Sequence, residues 1–351
     1  MVGGERIARH RPPLIRTAQD SSPPVRPVTH RIPGILFVLL VIVAAGFTFS
    51  QRPTPRMPAT EVRIDHLLIL DAQRVGSRIV AVGERGYIFL SDDDGDHWRR
   101  AASAFETTLT ALAVVDDRTL VAAGHDARVL RSEDRGETWT EVFSAPDAEE
   151  PLLAVQFDAS GRGFALGAYG RLMTSDDAGR TWTRNDVDAG ELHLNAMAAV
   201  GTDRFIAGEA GTLLRSEDGG MSWQVLDAPY EGSFFGALAT ADASLLLYGM
   251  RGHVFRSRDR GESWEEIASN TQASLFGGRV MPDGRIFIVG QNGTVRVSTD
   301  HGRTLQRLAP PSGNLWTTLL ATETPGRYLL FGERGVQKWT AETAMTPARS
   351  P

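Results

Sequence analysis

A repeat of about 41 residues constrains the fold of this 351-residue chain more than any other feature. Six segments follow the pattern Ser-x-Asp-x-Gly-x-x-Trp, with Leu305 in place of the last tryptophan, and successive copies begin 41, 43, 41, 41 and 41 residues apart. This self-similarity predicts a repeat architecture whose units pack on their neighbours. The repeated residues are Ser91, Asp93, Gly95 and Trp98; Ser132, Asp134, Gly136 and Trp139; Ser175, Asp177, Gly179 and Trp182; Ser216, Asp218, Gly220 and Trp223; Ser257, Asp259, Gly261 and Trp264; and Ser298, Asp300 and Gly302.

A Gly-x-x-Gly turn precedes each of these segments, at the end of a short apolar run. The turns begin at Gly83, Gly124, Gly167, Gly208, Gly249 and Gly290, and Ala127 replaces the second glycine of the second turn. A seventh turn begins at Gly332 and has no Ser-x-Asp-x-Gly segment after it. The chain therefore contains seven units.

Each unit has the pattern of four short strands joined by turns, which is typical of a propeller blade. Residues 275–308, for example, contain four alternating apolar runs separated by three turns. We expect the aspartate of the repeated segment to accept hydrogen bonds from turn amides and its glycine to adopt a positive φ. The tryptophan is expected to begin the outer strand and cover the blade edge. The sequence thus predicts an all-β, seven-bladed β-propeller over residues 61–341.

Closure of this ring is predicted to involve both ends of the domain. The seventh unit contains only three strands, which end at residues 337–340. Residues 61–65 (EVRID) are expected to form its fourth strand. A ring closed in this way has no free sheet edge.

The N-terminal region predicts a membrane anchor. Residues 32–51 carry no charge, and a helix of that length spans about 30 Å, one hydrocarbon thickness. Six arginines lie in residues 1–31, so the positive-inside rule predicts a basic cytoplasmic tail (1–31), a transmembrane signal anchor (32–51) and a periplasmic propeller at a bacterial inner membrane. A proline-rich stalk (52–60) and a disordered C-terminal tail (342–351) complete the predicted organisation. A signal peptide cleaved after the small residues 43–45 is the alternative.

Composition excludes several classes of function. The chain has no cysteine, which rules out disulfides, thiolate metal sites and cysteine nucleophiles. Eight basic and two acidic residues lie in the first 56 positions, so 29 basic and 41 acidic residues remain, a net charge of −12. Such an acidic body is the reverse of a nucleic-acid binder. The histidines lack metal-ligand spacing, and residues 92–96 lack the oxygen spacing of a calcium loop. We expect no metal, no cofactor and no nucleic-acid partner.

The Ser-x-Asp-x-Gly segments resemble the Asp-box, or bacterial neuraminidase repeat, over about residues 60–341. Asp-boxes occur in sialidases, two-domain xyloglucanases, sortilin-like receptors and photosystem II assembly and stability factors. Seven short blades, a Gly-x-x-Gly turn before each box and one N-terminal membrane or export segment make the chain most similar to the last family. The resemblance implies a monomeric, non-catalytic scaffold for a membrane complex. That complex is photosystem II in a photosynthetic source, or otherwise an exporter of the resistance-nodulation-division type.

A carbohydrate-active propeller, either a sialidase-like glycoside hydrolase or a lectin, is the alternative function. Sialidases use an Arg-Ile-Pro motif, an arginine triad and a tyrosine nucleophile, but Arg-Ile-Pro here is residues 31–33, ahead of the predicted membrane segment. Tyr169 lies in a Gly-x-x-Gly turn, where it could face a ligand. The chain has no Gly-x-Ser-x-Gly elbow. We therefore assign no catalytic residue.

We expect the Gly-x-x-Gly turns and the connections between blades to share one face, opposite the Asp-boxes. The middle residues of these turns vary between units, which leaves them available for recognition. Aromatic residues near the innermost strands suit a protein anchor, unless they only fill the channel. The turn arginines either form a basic patch, with Arg85 beside Arg334, or are merely solvated. The predicted partner-binding residues are Arg85, His125, Tyr169, His193, Glu209, Phe235, Arg251, Phe276, Asn292, Trp316 and Arg334.

Overall fold

The computed structural model describes residues 31–49, 62–103, 105–310 and 313–341. The chain divides into two units, residues 1–60 and 61–351. The first contains one helix, α1 (Arg31–Phe49), whose described side chains from Pro33 to Thr48 are exposed. Among the described residues, none of the helices combines the length and the apolar character that crossing a membrane demands. Residues 1–30 of the predicted tail, the stalk and the tail at 342–351 lie outside the described residues.

The second unit contains seven antiparallel sheets, in each of which the strands follow one another in sequence order. Blade 1 contains β1 (Ile69–Val75), β2 (Arg78–Gly83), β3 (Ile88–Ser91) and β4 (Arg99–Arg100); blade 2 contains β5 (Leu109–Val114), β6 (Leu120–Gly124), β7 (Val129–Ser132) and β8 (Thr140–Phe143); blade 3 contains β9 (Leu152–Phe157), β10 (Gly163–Gly167), β11 (Leu172–Ser175) and β12 (Thr183–Asn185). Blade 4 contains β13 (Leu194–Val200), β14 (Asp203–Gly208), β15 (Leu213–Ser216) and β16 (Gln224–Val225); blade 5 contains β17 (Phe234–Ala239), β18 (Leu245–Gly249), β19 (Val254–Ser257) and β20 (Glu265–Glu266). Blade 6 contains β21 (Leu275–Val280), β22 (Ile286–Gly290), β23 (Val295–Ser298) and β24 (Gln306–Leu308); blade 7 contains β25 (Trp316–Ala321), β26 (Arg327–Gly332) and β27 (Gly335–Thr340). Short 3₁₀ turns occur at Ile64–His66, Glu84–Gly86, Pro146–Ala148, Glu209–Gly211, Met250–Gly252 and Gln291–Gly293.

The blades form a closed ring around a central channel. The first strand of each blade contacts the first strand of the next, and β25 of the seventh blade contacts β1 of the first. These seven innermost strands line the channel. The predicted all-β, seven-bladed propeller is therefore confirmed.

The hydrophobic core of the ring consists of seven separate clusters, and each lies between two neighbouring blades. Between blades 1 and 2, for example, Val80 and Leu90 pack with Leu112 and Leu130. The cluster between blades 7 and 1 joins Leu329 and Phe331 to residues of β1, β2 and β3. Each junction thus buries its own apolar surface, as expected for a repeat architecture.

The predicted fourth strand of blade 7 does not form within the described residues. Val62 and Arg63 lead into the 3₁₀ turn Ile64–His66 instead of pairing as a strand, and the described part of this sheet has three strands. Gly335 explains the difference, because its amide donates to the carbonyl of Leu67 at 2.8 Å. It also lies so close to Ile64 that a Cβ atom at position 335 would be 1.9 Å from the Ile64 carbonyl oxygen. The chain therefore turns against β27 before it enters β1.

The six Ser-x-Asp-x-Gly segments connect the third and fourth strands of blades 1 to 6 with one shared set of hydrogen bonds. The buried serine hydroxyl accepts from the glycine amide at 2.7–2.9 Å and donates to the aspartate at 2.7–2.9 Å. The aspartate accepts the amide of the fourth residue after it at 2.8–3.0 Å. The six glycines have φ between 81° and 93°. The predicted roles of aspartate and glycine are confirmed.

The apolar residue that closes each segment stands directly before the outer strand. Trp139 and Trp182 are 8% exposed, and their indole N–H groups donate to the carbonyls of Gly136 and Gly179. Leu305, which replaces tryptophan in the sixth segment, is 7% exposed. These three side chains pack into the apolar clusters between neighbouring blades.

The carboxylates of these turns are held in their charged form by the bonds they accept. The His97 amide and side chain lower the pKa of Asp93 to about 2. Hydrogen bonds from the Ser263 hydroxyl and amide lower the pKa of Asp259 to about 2 as well. The described residues contain no group of three or more His, Asp or Glu side chains arranged to bind a metal.

Candidate protein-binding face

Each Gly-x-x-Gly turn is tied to the start of the innermost strand of its own blade. The amide after the first glycine donates to the carbonyl just before that strand, at 2.8–3.3 Å in all seven blades. The pairs are Glu84 with Leu68, His125 with Thr108, Ala168 with Pro151, Glu209 with His193, Met250 with Ser233, Gln291 with Ser274, and Glu333 with Leu315. The turns and the inter-blade connections therefore share one face, as predicted, which we call the turn face. The Ser-x-Asp-x-Gly turns lie at the other ends of the third strands, on the box face.

The first glycine of these turns is required by this close approach. A Cβ atom at position 83 would lie 2.1 Å from the Leu68 carbonyl oxygen, and one at position 332 would lie 1.9 Å from that of Leu315. The other five first glycines meet the equivalent carbonyl at 2.1–2.4 Å. Glycine recurs here because no side chain fits.

The first middle residue of the turn has a structural role in four blades. The side chains of Glu84, Glu209, Gln291 and Glu333 accept hydrogen bonds from the amides of Leu68, His193, Ser274 and Leu315 at 3.1–3.3 Å. The side chain and the amide of one residue thus hold the start of the innermost strand together. Glu209, predicted as a recognition residue, is therefore committed to its own blade.

The second middle residue of the turn projects from the turn face. It has a left-handed φ of 49–59° in six blades, at Arg85, Asp126, Tyr169, Ala210, Arg251 and Asn292. All of these except Asp126 are exposed, as are His125 and, in the seventh turn, Arg334. A left-handed position tolerates these residue types only at some cost. Among the described residues, Asp126 is the only one of them whose side chain has a hydrogen bond, from the Thr107 hydroxyl at 3.2 Å. These side chains are the variable part of the turn face.

Three of the projecting side chains are arginines, namely Arg85, Arg251 and Arg334. Arg85 and Arg334 belong to blades 1 and 7, which are neighbours in the ring, whereas Arg251 belongs to blade 5. No carboxylate of the described residues forms an ion pair with any of the three. Their charges are available to a partner.

An aromatic patch lies on the turn face between blades 3 and 4. Tyr169 is 51% exposed, and its ring meets the His193 ring edge-on at 5.3 Å. The Tyr169 amide donates to His193 Nδ1 at 3.3 Å, and the Gly170 amide donates to the Leu192 carbonyl at 2.8 Å. Leu192, which sequence reasoning missed, is itself 37% exposed. Tyr169, Leu192 and His193 form what we call the Tyr169 patch.

The other predicted aromatic residues separate into two groups. Phe235 and Phe276 line the channel, with ring centroids 5.1 Å apart. Trp316 is 1% exposed and packs with Phe287 and Tyr328 between blades 6 and 7. Its predicted place on the binding face is wrong, because the first residue of each innermost strand points into the junction between blades, whereas the second lines the channel.

A further cluster beside Arg251 had no sequence signal. His253 packs on the Tyr230 ring at 4.3 Å, and its Nδ1 lies 2.6 Å from Glu266 Oε1. With Arg251, His253 and Glu266 line a groove of about 340 Å³. The groove extends the polar surface around the blade 5 turn.

Comparisons with known proteins support one family. Residues 144–285, about two fifths of the chain, match the family model described as photosynthesis system II assembly factor YCF48. No curated protein sequence matches the chain.

Solved propellers share the fold at low identity. A structure described as YCF48 bound to D1 peptide has a TM-score of 0.64 and 15% identity, and the match covers 83% of this chain and 100% of that one. YCF48 from Cyanidioschyzon merolae has a TM-score of 0.63 and 14% identity, covering 80% and 97%. The WD40 propeller of Doa1 has a TM-score of 0.62 and 12% identity, covering 79% and 94%. The structural likeness alone shows the propeller fold, whereas the family model points to the YCF48 group. Taken with the blade count and the repeated turns, these matches confirm that the chain resembles the YCF48 family of photosystem II assembly factors.

Proposed function

We propose that this propeller is a non-catalytic scaffold that binds a membrane-protein partner through its turn face and assists the assembly or function of that partner's complex. The Tyr169 patch carries the proposal. A half-exposed tyrosine beside an exposed leucine is the kind of rigid amphipathic anchor that concentrates binding energy in protein interfaces. The YCF48 propeller described as bound to D1 peptide supplies a precedent for peptide binding by this fold.

Electrostatics favour an acidic or phosphate-bearing partner surface around that anchor. Arg85, Arg251 and Arg334 project from an otherwise acidic body and have no ion-pair partner among the described residues. Rim charges of this kind chiefly raise association rates and select partners. A transporter of the resistance-nodulation-division type is the partner we name first, and photosystem II takes its place if the source is photosynthetic.

We also propose that the chain is a single-pass protein of the bacterial inner membrane with its propeller in the periplasm. Helix α1 (Arg31–Phe49) on its own falls short of a membrane span. The proposal therefore rests on the whole uncharged stretch of residues 32–51 and the six arginines in residues 1–31. Membrane fractionation and protease accessibility in spheroplasts test it. Release of the mature chain into the periplasm would show that the segment is cleaved instead.

Crosslinking in the native host tests the binding function. A tagged full-length chain is crosslinked, solubilised in mild detergent and purified, and the proteins that accompany it are identified. We expect one integral membrane complex, with recovery reduced about tenfold or more by Tyr169→Ala and by the triple change of Arg85, Arg251 and Arg334 to glutamate.

Matched controls lie on the box face. Met221 is 72% exposed in a box turn, so Met221→Ala removes an equally accessible apolar side chain. Arg180, Arg258 and Arg303 are exposed box-turn arginines for the matched triple change to glutamate. Equal losses from both faces would refute a turn-face site. Hydrolysis of a glycan by the purified chain, abolished by Tyr169→Phe, would refute the scaffold in favour of the carbohydrate-active alternative.

A further inference from the structure

The central channel contains charged side chains at two positions where the other blades have uncharged ones. Asp71 is the third residue of β1 and pairs with Val82, next to the first glycine of the turn. The same register holds Ala111, Ala154, Ala196, Gly236, Gly277 and Thr318 in blades 2 to 7. Asp71 is therefore the one carboxylate among seven equivalent positions.

Arg279 is the corresponding exception two residues further along. It is the fifth residue of β21 and pairs with Phe287, and the equivalent residues of blades 1 to 5 and 7 are Gln73, Ala113, Gln156, Ala198, Leu238 and Leu320. Blade packing does not require a guanidinium here, because four other blades have alanine or leucine at the same position. The packing of the blade therefore does not explain the charge of Arg279.

The Arg279 side chain reaches past blade 7 to blade 1. One terminal nitrogen donates to Gln73 Oε1 at 3.1 Å, and the other donates to the Ala72 carbonyl at 3.0 Å. The Nε–H group is buried and has no hydrogen-bond partner among the described residues. No carboxylate of those residues lies within 4.0 Å of this guanidinium. Arg279 thus presents one buried nitrogen donor without a partner, and its charge is balanced only beyond ion-pair distance, by the Asp71 carboxylate.

Asp71 does not supply the missing acceptor. Its Oδ1 accepts the Ala72 amide at 2.7 Å, and its Oδ2 accepts the Leu112 amide at 2.9 Å. Burial raises the pKa of Asp71 and lowers the pKa of Arg279, and the attraction between the two opposite charges offsets part of each shift. A buried donor left without a partner costs stability in the free protein.

The channel offers room and an apolar wall beside this donor. Its cavity has a volume of about 250 Å³ and is lined by both Asp71 and Arg279. Towards the turn face, the rings of Phe235 and Phe276 contact each other at a tilt of 35°, with centroids 5.1 Å apart. Tyr248 fills the space that the absent side chains of Gly236 and Gly278 leave, because a Cβ atom at position 236 would lie 1.9 Å from its ring and one at position 278 would lie 2.6 Å from its hydroxyl.

We propose that the channel is a binding site for a carboxylate, which accepts a hydrogen bond from the Nε–H of Arg279 while its apolar part packs on Phe235 and Phe276. A carboxylate matches an arginine donor in charge and geometry, and charge-assisted bonds of this kind are the strong ones. Either a small organic acid or the free C-terminus of a peptide supplies this group. The site is distinct from the turn-face surface proposed above and does not depend on it.

Calorimetric titration of the full-length chain in detergent tests the proposal with two pairs of probes. Butyrate is compared with its neutral analogue butyramide, and an apolar tripeptide with a free C-terminus is compared with the same tripeptide amidated. We expect at least one carboxylate to bind and both neutral probes to fail. Binding of butyrate alone identifies a small acid, and binding of the free tripeptide identifies a peptide terminus.

Substitutions locate the site. Arg279→Met is expected to weaken carboxylate binding at least about tenfold, or 1.4 kcal/mol, whereas Arg279→Lys, which keeps the charge, retains part of it. The triple glutamate variant of Arg85, Arg251 and Arg334 should bind the carboxylate as the parent does, which separates this site from the turn face. If neither carboxylate binds, or if Arg279→Lys and Arg279→Met leave binding unchanged, the channel holds only water and the proposal fails.

Discussion

The two kinds of turn in this propeller differ in how they use their polar groups. In the Ser-x-Asp-x-Gly turns, the serine and aspartate side chains form hydrogen bonds within the turn. In the Gly-x-x-Gly turns, the backbone and the first middle residue make the local bonds. Among the described second middle residues, only Asp126 has a side-chain hydrogen bond, which it accepts from the Thr107 hydroxyl at 3.2 Å. The box face is therefore built from side chains, whereas the turn face is built mainly from backbone. Recognition residues can vary only where the fold does not depend on them.

The largest expected effect is at the junction between blades 7 and 1. Gly335→Ala places a Cβ atom 1.9 Å from the Ile64 carbonyl oxygen at a φ of 71°, so the closing hydrogen bond to Leu67 must break. We expect a loss of at least about 3 kcal/mol in the free energy of unfolding, measured by urea denaturation. Gly76→Ala is the control, because Gly76 has a φ of 62° in open space and should lose only about 1 kcal/mol. Equal losses would mean that closure does not depend on this contact.

The next largest effect is expected in the Ser-x-Asp-x-Gly turns, where side chains make the local hydrogen bonds. Ser257→Ala removes the acceptor of the buried Gly261 amide and the donor to Asp259, and we expect a loss of about 1–3 kcal/mol. Arg258→Ala, at the variable position of the same turn, should change stability by less than about 0.5 kcal/mol. Chemical denaturation of both variants decides the matter. A Ser257→Ala protein as stable as Arg258→Ala would show that the shared network is dispensable.

Acid should weaken the box turns selectively. The pKa values of Asp93, Asp177 and Asp259 are lowered to about 2, so their contribution is complete above the unfolded value near 4 and is lost as pH falls through about 2. We expect the melting temperature to be steady from pH 7 to 5 and to fall below pH 4. Asp259→Asn should lower the melting temperature at pH 7 and flatten the fall between pH 4 and 2.5. A parallel fall in parent and variant would assign acid sensitivity to other groups.

The smallest expected effect is the difference in stability between substitutions at the first and at the second middle residue of the Gly-x-x-Gly turns. Glu209→Ala removes the acceptor of the His193 amide and should cost about 0.5–1 kcal/mol, since the carboxylate is half-exposed. Tyr169→Ala should change stability by less than about 0.5 kcal/mol, because its ring is half-exposed. Thermal and urea melts of both variants measure the difference. The reverse order would make Tyr169 the structural residue and contradict its role as a binding anchor.

The blade count and the roles of the repeated residues could be predicted because each unit repeats the same turn residues and the same pattern of short strands. Recognition residues were harder to predict, since a shift of one position along a strand reverses the direction in which the side chain points. Trp316 and Phe276 both stand near the start of an innermost strand, yet the first is buried at a junction and the second lines the channel. Aligning the seven strands residue by residue would have separated them, because the equivalents of Trp316 are all apolar core residues such as Leu109 and Leu194.

Features that arise from contacts between distant segments had no local signal. Leu192 became part of the Tyr169 patch only through the bond between Gly170 and the Leu192 carbonyl. The same holds for residues 61–65, whose alternation suits a strand. The path of their described part, residues 62–65, is set by the close approach of Gly335. In contrast, Asp71 and Arg279 are visible in an alignment of the units, as the charged residues at positions that are otherwise uncharged.

Because each of the seven junctions has its own apolar core, the ring does not depend on which junction lies between the two ends of the chain. The junction between blades 7 and 1 has its own apolar cluster and its own hydrogen bond, and lacks only the covalent connection that the other six possess. A circular permutant is therefore allowed, in which a short linker joins residue 341 to residue 62 and new termini open at the connection around Pro146–Ala148. Such a chain would keep every junction while moving its two termini from between blades 7 and 1 to between blades 2 and 3.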